Sequence, residues 1–270
     1  MTSVAHEGRI TVRSGDAHLS VKVTGRVDGP VVLLSNSLGA GLDMWAPQRA
    51  VLEPHFRVIG YDTRGHGQSS TPPGPYRFAD LTADMLAILD NFHVVQADIV
   101  GLSLGGMTAL GMGLNHAGRV RRIVCACARA DAPPPFVAGW DDRIAAIDAG
   151  GMAAIWPGTL DRWLTPDFAQ THPDVVAALA RDFTAMDVAG YTGCARALQS
   201  LDYRRDLPGM TVPVLYIAGA DDMGAPPAAM QDMAQATPGA SYVEIPDCAH
   251  IANLNATAAF DRALRQFLEF

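Results

Sequence analysis

Short continuous apolar runs alternate with segments of helical periodicity along most of the chain. Val31 to Leu34, Phe56 to Tyr61, Ala97 to Val100, Val120 to Ala126, Val212 to Ala218 and Tyr242 to Ile245 are such runs. Each is bounded by polar or glycine-containing stretches, and together they predict buried strands. Phe78 to Phe92 places apolar residues at 78, 81, 85, 88, 89 and 92, the spacing of one helix face. Met107 to His116 reads as a second helix. Thr257 to Phe270 reads as a closing one, with Phe260, Leu264, Phe267 and Leu268 on one side. Strands alternating with helices predict an α/β fold: a mostly parallel central sheet with helices on both faces.

That rhythm breaks after Asp131, where Pro133-Pro134-Pro135 opens a stretch without strand signals. Trp140 to Ala149, Met152 to Leu164, Asp174 to Phe183 and Tyr191 to Leu201 read as four consecutive helical segments, and the strand pattern resumes at Val212. The expected organisation is therefore a core of residues 1–130 and 206–270 with a helical cap insertion at 131–205.

Composition narrows the function classes. Hydrophobic residues make up 49% of the 270 and charged residues 18%, an ordinary globular balance. The net charge of −8 argues against a nucleic-acid partner. The four cysteines form no CxxC pair, which predicts buried free thiols rather than a metal or disulfide framework. No apolar stretch is long enough for a bilayer, and Met1 to Ile10 lacks the apolar region of a signal peptide. The expectation is a cytoplasmic protein with a small-molecule substrate and no membrane partner; oligomeric state is not legible.

The chemistry concentrates after the strands. Gly101-Leu102-Ser103-Leu104-Gly105 matches G-x-S-x-G, preceded by a strand pattern and followed by a helical one, as a nucleophile turn requires. A serine hydroxyl needs a base to accept its proton. Of eight histidines, His250 follows the last strand, while His66, in Asp62-Thr63-Arg64-Gly65-His66-Gly67, is the competitor. The chain order serine, acid, histidine favours His250. His6, His18, His55, His93, His116 and His172 read as surface or core residues. The acid that orients the base is Asp221 or Asp222 after Val212 to Ala218, and spacing does not choose between them. Acyl transfer also needs amides aimed at a developing oxyanion, and the expected donors are the N–H groups of Leu104 and Leu38. No metal cluster, dinucleotide fingerprint or phosphate loop is visible, and the mechanism requires no cofactor.

These residues give the chain a resemblance to the α/β-hydrolase superfamily and, within it, to the 3-oxoadipate enol-lactonases. Ser35-Asn36-Ser37-Leu38-Gly39 with Met44-Trp45 looks like that family's oxyanion loop. Gly150 to Ala154, Arg162 to Pro166 and Gly190 to Leu201 look like its cap. The family's Gly-x-x-Asp followed by paired prolines corresponds to Gly219 to Asp222 with Pro226-Pro227, and implies Asp222 as the acid. Cys125 to Trp140 departs from the family pattern. The resemblance implies hydrolysis of a lactone or ester through an acyl-enzyme, with a carboxylate-bearing lactone calling for a cation among Arg129, Arg143, Arg162 and Arg196. A carboxylesterase, a cofactor-free perhydrolase and, from another class, a slow-turnover ligand receptor are the alternatives. Dehalogenases and epoxide hydrolases of this fold are disfavoured, because they carry Asp where Ser103 stands.

Overall fold

Two antiparallel strands begin the sheet: β1 (Arg9–Ser14) turns through Gly15 into β2 (Ala17–Gly25). Leu19 and Val21 point to the core with no exposure while His18 and Lys22 face outward or sit half-covered, the alternation of an edge hairpin. The sequence reading did not include this pair. The computed structural model describes residues 8–270; the reading of His6, and most of the N-terminal stretch considered for a leader, lie outside the described residues.

From here the chain alternates. β3 (Val31–Ser35), α1 (Ala46–Leu52), β4 (Arg57–Tyr61), α2 (Phe78–Asn91), β5 (Ala97–Leu102), α3 (Leu104–Asn115) and β6 (Val120–Ala126) build the centre. Strands β3 and β5 are buried at every position, so they read as continuous apolar runs rather than alternations. After β6 come α4 (Pro134–Trp163), α5 (Pro166–Thr171), α6 (Pro173–Thr184) and α7 (Val188–Gln199), then β7 (Val214–Gly219), α8 (Pro227–Ala236), β8 (Ser241–Ile245), α9 (Ala252–Asn255) and α10 (Thr257–Leu268). The eight strands lie in the order β1-β2-β4-β3-β5-β6-β7-β8, and all pairings from β4 to β8 are parallel. Helix α3 lies on β3, β5 and β6 with α2 beside it, and α8 and α10 lie on β7 and β8.

This order sets the site. From β3 the chain moves out to β4 and then returns to β5 on the other side of β3. The loops leaving β3 and β5 therefore flank a crevice at the carboxyl ends of the strands, where ligands of open α/β sheets bind.

The intervening helices leave the sheet at Asp131 and return at Asp202, which pair with each other as an antiparallel bridge. Helix α4 breaks at Gly151 (φ 69°, ψ −172°), which matches the separation read from the sequence between the segments ending at 149 and beginning at 152. Helix α4 packs on α6 and α7. Trp156, Trp163, Phe183 and Tyr191 form an aromatic cluster with ring centroids 5.4 to 6.1 Å apart. All four cysteines are buried and unpaired, and burial raises each thiol pKa.

At the opposite end of β5, fully buried Asp98 holds both Arg121 and Arg122, and Arg122 reaches on to the Phe267 carbonyl. Asp98→Ala should lower unfolding free energy by about 3 kcal/mol, the low end for breaking a buried ion pair because both guanidiniums keep some contact with water. Urea denaturation checks this; kcat per folded molecule should not change, and a loss of stability under 1 kcal/mol would refute it.

Candidate active site

Ser103 stands between β5 and α3 with φ 55° and ψ −116°, a conformation that costs an L-residue of order 1–3 kcal/mol. Its neighbours explain why the turn tolerates only small residues. A Cβ on Gly101 would lie 2.3 Å from the Gly105 carbonyl oxygen, and one on Gly105 would lie 2.2 Å from the Ser35 carbonyl oxygen. The strand, the helix start and β3 meet there backbone to backbone. The turn is held by Ser103 N–H donating to Ala126 O (2.8 Å) and Gly105 N–H donating to Asn36 O (3.0 Å).

Ser103 and His250 line one cavity of about 390 Å³. Their side chains share no hydrogen bond, a contact that commonly tightens only when substrate is bound. His250 Nδ1 lies 2.8 Å from Asp222 Oδ2. The other oxygen of Asp222 accepts from Gly224 N–H (2.8 Å) and Ala225 N–H (3.0 Å), so the carboxylate has one orientation. An ionised carboxylate there makes Nδ1 the protonated nitrogen and leaves Nε2 as the acceptor. Asp222 is buried, whereas neighbouring Asp221 is exposed and makes no side-chain contact with His250.

The loop carrying His250 is stapled to the end of α4. His250 N–H donates to Arg162 O (3.2 Å) and Ile251 N–H to Trp163 O (2.9 Å). Asn255 completes the staple: its Oδ1 accepts from Ala249 N–H (2.8 Å) and Thr165 N–H (3.1 Å), and its Nδ2 donates to Thr165 Oγ1 (3.2 Å). Nothing in the spacing of Asn255 singled it out in the sequence.

The two expected amide donors sit on either side of the crevice. Leu104 N–H opens α3, where the helix dipole places partial positive charge. Leu38 lies in a turn closed by Ala40 N–H donating to Ser37 O (3.1 Å). Neither amide donates to a described residue, although the adjacent Gly39 and Gly105 amides both do.

The remaining histidines lie elsewhere. His66 is buried, accepts from Gly39 N–H at Nε2 (3.0 Å), and faces Arg64 O with Nδ1 (3.1 Å). His18, His55, His93 and His172 are exposed and His116 is half-buried.

Three of the four candidate arginines line the cavity, and Arg196 does not; it pairs with Asp141 and Gln199 outside. Arg129 leans on Asp131 and over the Phe136 ring. Arg143 is held by the Tyr191 hydroxyl (2.8 Å) and by Thr159, between the rings of Trp140 and Tyr191. Neither Arg143 nor Arg162 has an acidic side chain within ion-pair distance among the described residues. Burial, and after it the nearby charge of Arg143, lower the pKa of Arg162 against the opposing pull of Tyr191 and Asp222. Pro133, Pro135, Phe136, Gly139 and Trp140, from the stretch where the sequence departs from the enol-lactonase pattern, form another wall. Among the described residues no group of three His, Cys, Asp or Glu side chains is placed to hold a metal, and no helix is long and apolar enough to cross a membrane.

Comparison with known proteins identifies the family. Residues 30–257 match the family described as alpha/beta hydrolase fold. The chain is 34% identical to 3-oxoadipate enol-lactonase 2 of Acinetobacter baylyi over 96% of both chains, and 32% identical to enol-lactonase 1 of the same organism over 99% of this chain and 98% of that one. The crystal structure of the enol-lactonase from Burkholderia xenovorans LB400 superposes with a TM-score of 0.93 at 38% identity, covering 97% of this chain and all of the other.

Proposed function

This chain belongs to the α/β-hydrolase family and is a hydrolase acting on esters or lactones; from that premise we propose that it opens 3-oxoadipate enol-lactone through an acyl-enzyme on Ser103. The observation that carries the substrate reading is the pair Arg143 and Arg162, two guanidiniums with no carboxylate at ion-pair distance among the described residues, in the cavity that also holds Ser103 and His250. An anionic substrate supplies the missing charge.

In this reading residues 131–205 cap a core of 1–130 and 206–270, and the protein works in the cytoplasm. Ser103 Oγ attacks the lactone carbonyl as His250 Nε2 takes its proton. Asp222 holds the ring in the needed tautomer and stabilises the imidazolium. The tetrahedral oxyanion rests on the Leu38 and Leu104 amides. Collapse breaks the ring C–O bond, and His250 returns its proton to the departing enol oxygen. The opened chain stays esterified to Ser103 while its enol becomes a ketone. Water, deprotonated by His250, then attacks the ester and releases a dicarboxylate. Arg143 and Arg162 hold the substrate's carboxylate throughout, so ring opening swings the leaving oxygen and not the anchored end.

The test is multiple turnover of the enol-lactone followed by loss of its ultraviolet absorbance. Many equivalents of product per enzyme support the proposal. Release of a single equivalent would replace it with a slow-turnover receptor, and rapid hydrolysis of neutral esters with none of the lactone would retain the hydrolase and discard this substrate.

A further inference from the structure

The histidine that competes with His250 in the sequence has no access to Ser103, yet it is buried with both ring nitrogens engaged. The partners fix its chemistry. Arg64 O can only accept, so Nδ1 carries the proton; Nε2 is then a lone-pair acceptor for Gly39 N–H. Burial lowers the pKa of this imidazole, outweighing the opposing pull of Asp62 and Asp187, and so favours the neutral ring.

The accepted proton belongs to the peptide next to the proposed oxyanion donor. Gly39 has φ 86° in the turn closed from Ala40 to Ser37, the third-residue geometry of a type II turn. Type I and type II turns differ by a flip of the peptide between the second and third residues, here Leu38–Gly39. That flip would turn over the Leu38 carbonyl and the Gly39 N–H; the Leu38 N–H, the proposed oxyanion donor, sits on the preceding peptide of the same turn and depends on the turn keeping its place. From above, the turn is pressed by the helices: a Cβ on Gly39 would lie 2.6 Å from Phe183 and 3.2 Å from Tyr191. At its base, the Asn36 side chain accepts from Trp45 Nε1–H and donates to Tyr61 O. Among the described residues, the side chain that takes the Gly39 N–H is His66.

We propose that His66 is a positioning residue for the oxyanion hole: by accepting Gly39 N–H at Nε2 it pins the Ser37–Ala40 turn, so that the Leu38 amide, one peptide earlier in that turn, stays aimed at the cavity. The inference rests on the acyl-enzyme reading above. It concerns transition-state stabilisation, so loss of the acceptor acts on kcat and leaves substrate binding nearly intact.

The experiment compares His66→Leu and His66→Gln with wild type on the preferred substrate. Gln can present its side-chain oxygen where Nε2 stood; Leu cannot. The Leu variant should lose about 30-fold in kcat with KM within about 2-fold, below the roughly 100-fold cost of deleting an oxyanion donor outright. Gln should recover at least half of that loss on a logarithmic scale. A boronic acid that mimics the tetrahedral adduct should weaken by the same factor as kcat. Histidine-selective ¹⁵N NMR of the wild type should show a buried ring with the proton on Nδ1 that disappears in the Gln variant. Unchanged kcat in the Leu variant, equal losses in Leu and Gln, or a proton on Nε2 of that ring would each overturn the proposal. If His66→Leu does not fold, the NMR tautomer and the Gln kinetics decide. Failure here leaves the acyl-enzyme reading intact whenever Ser103→Ala remains inactive.

Discussion

Ser103→Ala should turn over the enol-lactone at least about 10⁴-fold more slowly than wild type, with an unchanged thermal midpoint. His250→Ala should cost a similar factor, and the double variant no more than either alone, because a nucleophile and its base act as one unit. Asp222→Asn separates orientation from mere presence. Its amide can keep both backbone bonds from Gly224 and Ala225 at one oxygen, but presented to His250 as a donor it selects the wrong tautomer. A loss of about 10⁴ is expected there as well. Single-turnover assays with all four variants at matched concentration check the set. If Ser103→Ala kept a tenth of wild-type activity, direct attack by a histidine-activated water would displace the acyl-enzyme. If the double variant lost the product of the two single effects, the two residues would be acting independently.

The second large effect concerns charge selectivity. Arg162→Ala should lower kcat/KM for the anionic lactone by about 10²-fold, near 2.7 kcal/mol, in the range for removing one partner of a buried charge pair. The same variant should change a neutral ester such as phenyl acetate by less than about 3-fold. Arg143→Ala should show the same preference with a larger general loss, since it also strips the Tyr191 hydroxyl and Thr159 of a donor. Arg196→Ala, outside the cavity, is the control and should behave as wild type. Adipate, which matches the product's two carboxylates, should inhibit wild type competitively and the Arg162 variant weakly. Equal losses on anionic and neutral substrates would mean a collapsed pocket rather than an anion site. No loss on the lactone would remove the charge argument altogether.

The cavity gives these arginines a reason to be selective. Burial and the charge of Arg143 disfavour the Arg162 cation, so in the proposed reading an anion gains from the site and a neutral substrate does not. The stapling of the His250 loop to the Arg162 backbone places the anion site and the base on one hydrogen-bonded unit. That arrangement suits a lactone whose anchored carboxylate and reacting carbonyl are separated by a fixed, short frame.

Local sequence determined the parts of this protein whose signal is local. The central strands are legible because burial on both faces makes them continuous apolar runs, and the Ser103 turn because its glycines stand at a fixed local spacing, although the contact that demands Gly105 comes from Ser35 on β3. The break of α4 at Gly151 was legible as a gap between two helical segments. The edge strands β1 and β2 are not legible because half-exposure breaks their apolar positions into an alternation instead of a run, and α5 because its six residues carry too little periodicity. Spacing leaves Asp221 and Asp222 open and the family resemblance implies Asp222; the tertiary structure gives the physical reason, since the turn at Gly224 and Ala225 orients that one toward His250. Tertiary structure alone sorted four equivalent-looking arginines into a cavity pair, a wall residue and a surface residue. It alone shows what engages His66, because a histidine's role is set by what lies 3 Å from each ring nitrogen, and the Gly39 amide at Nε2 comes from another loop.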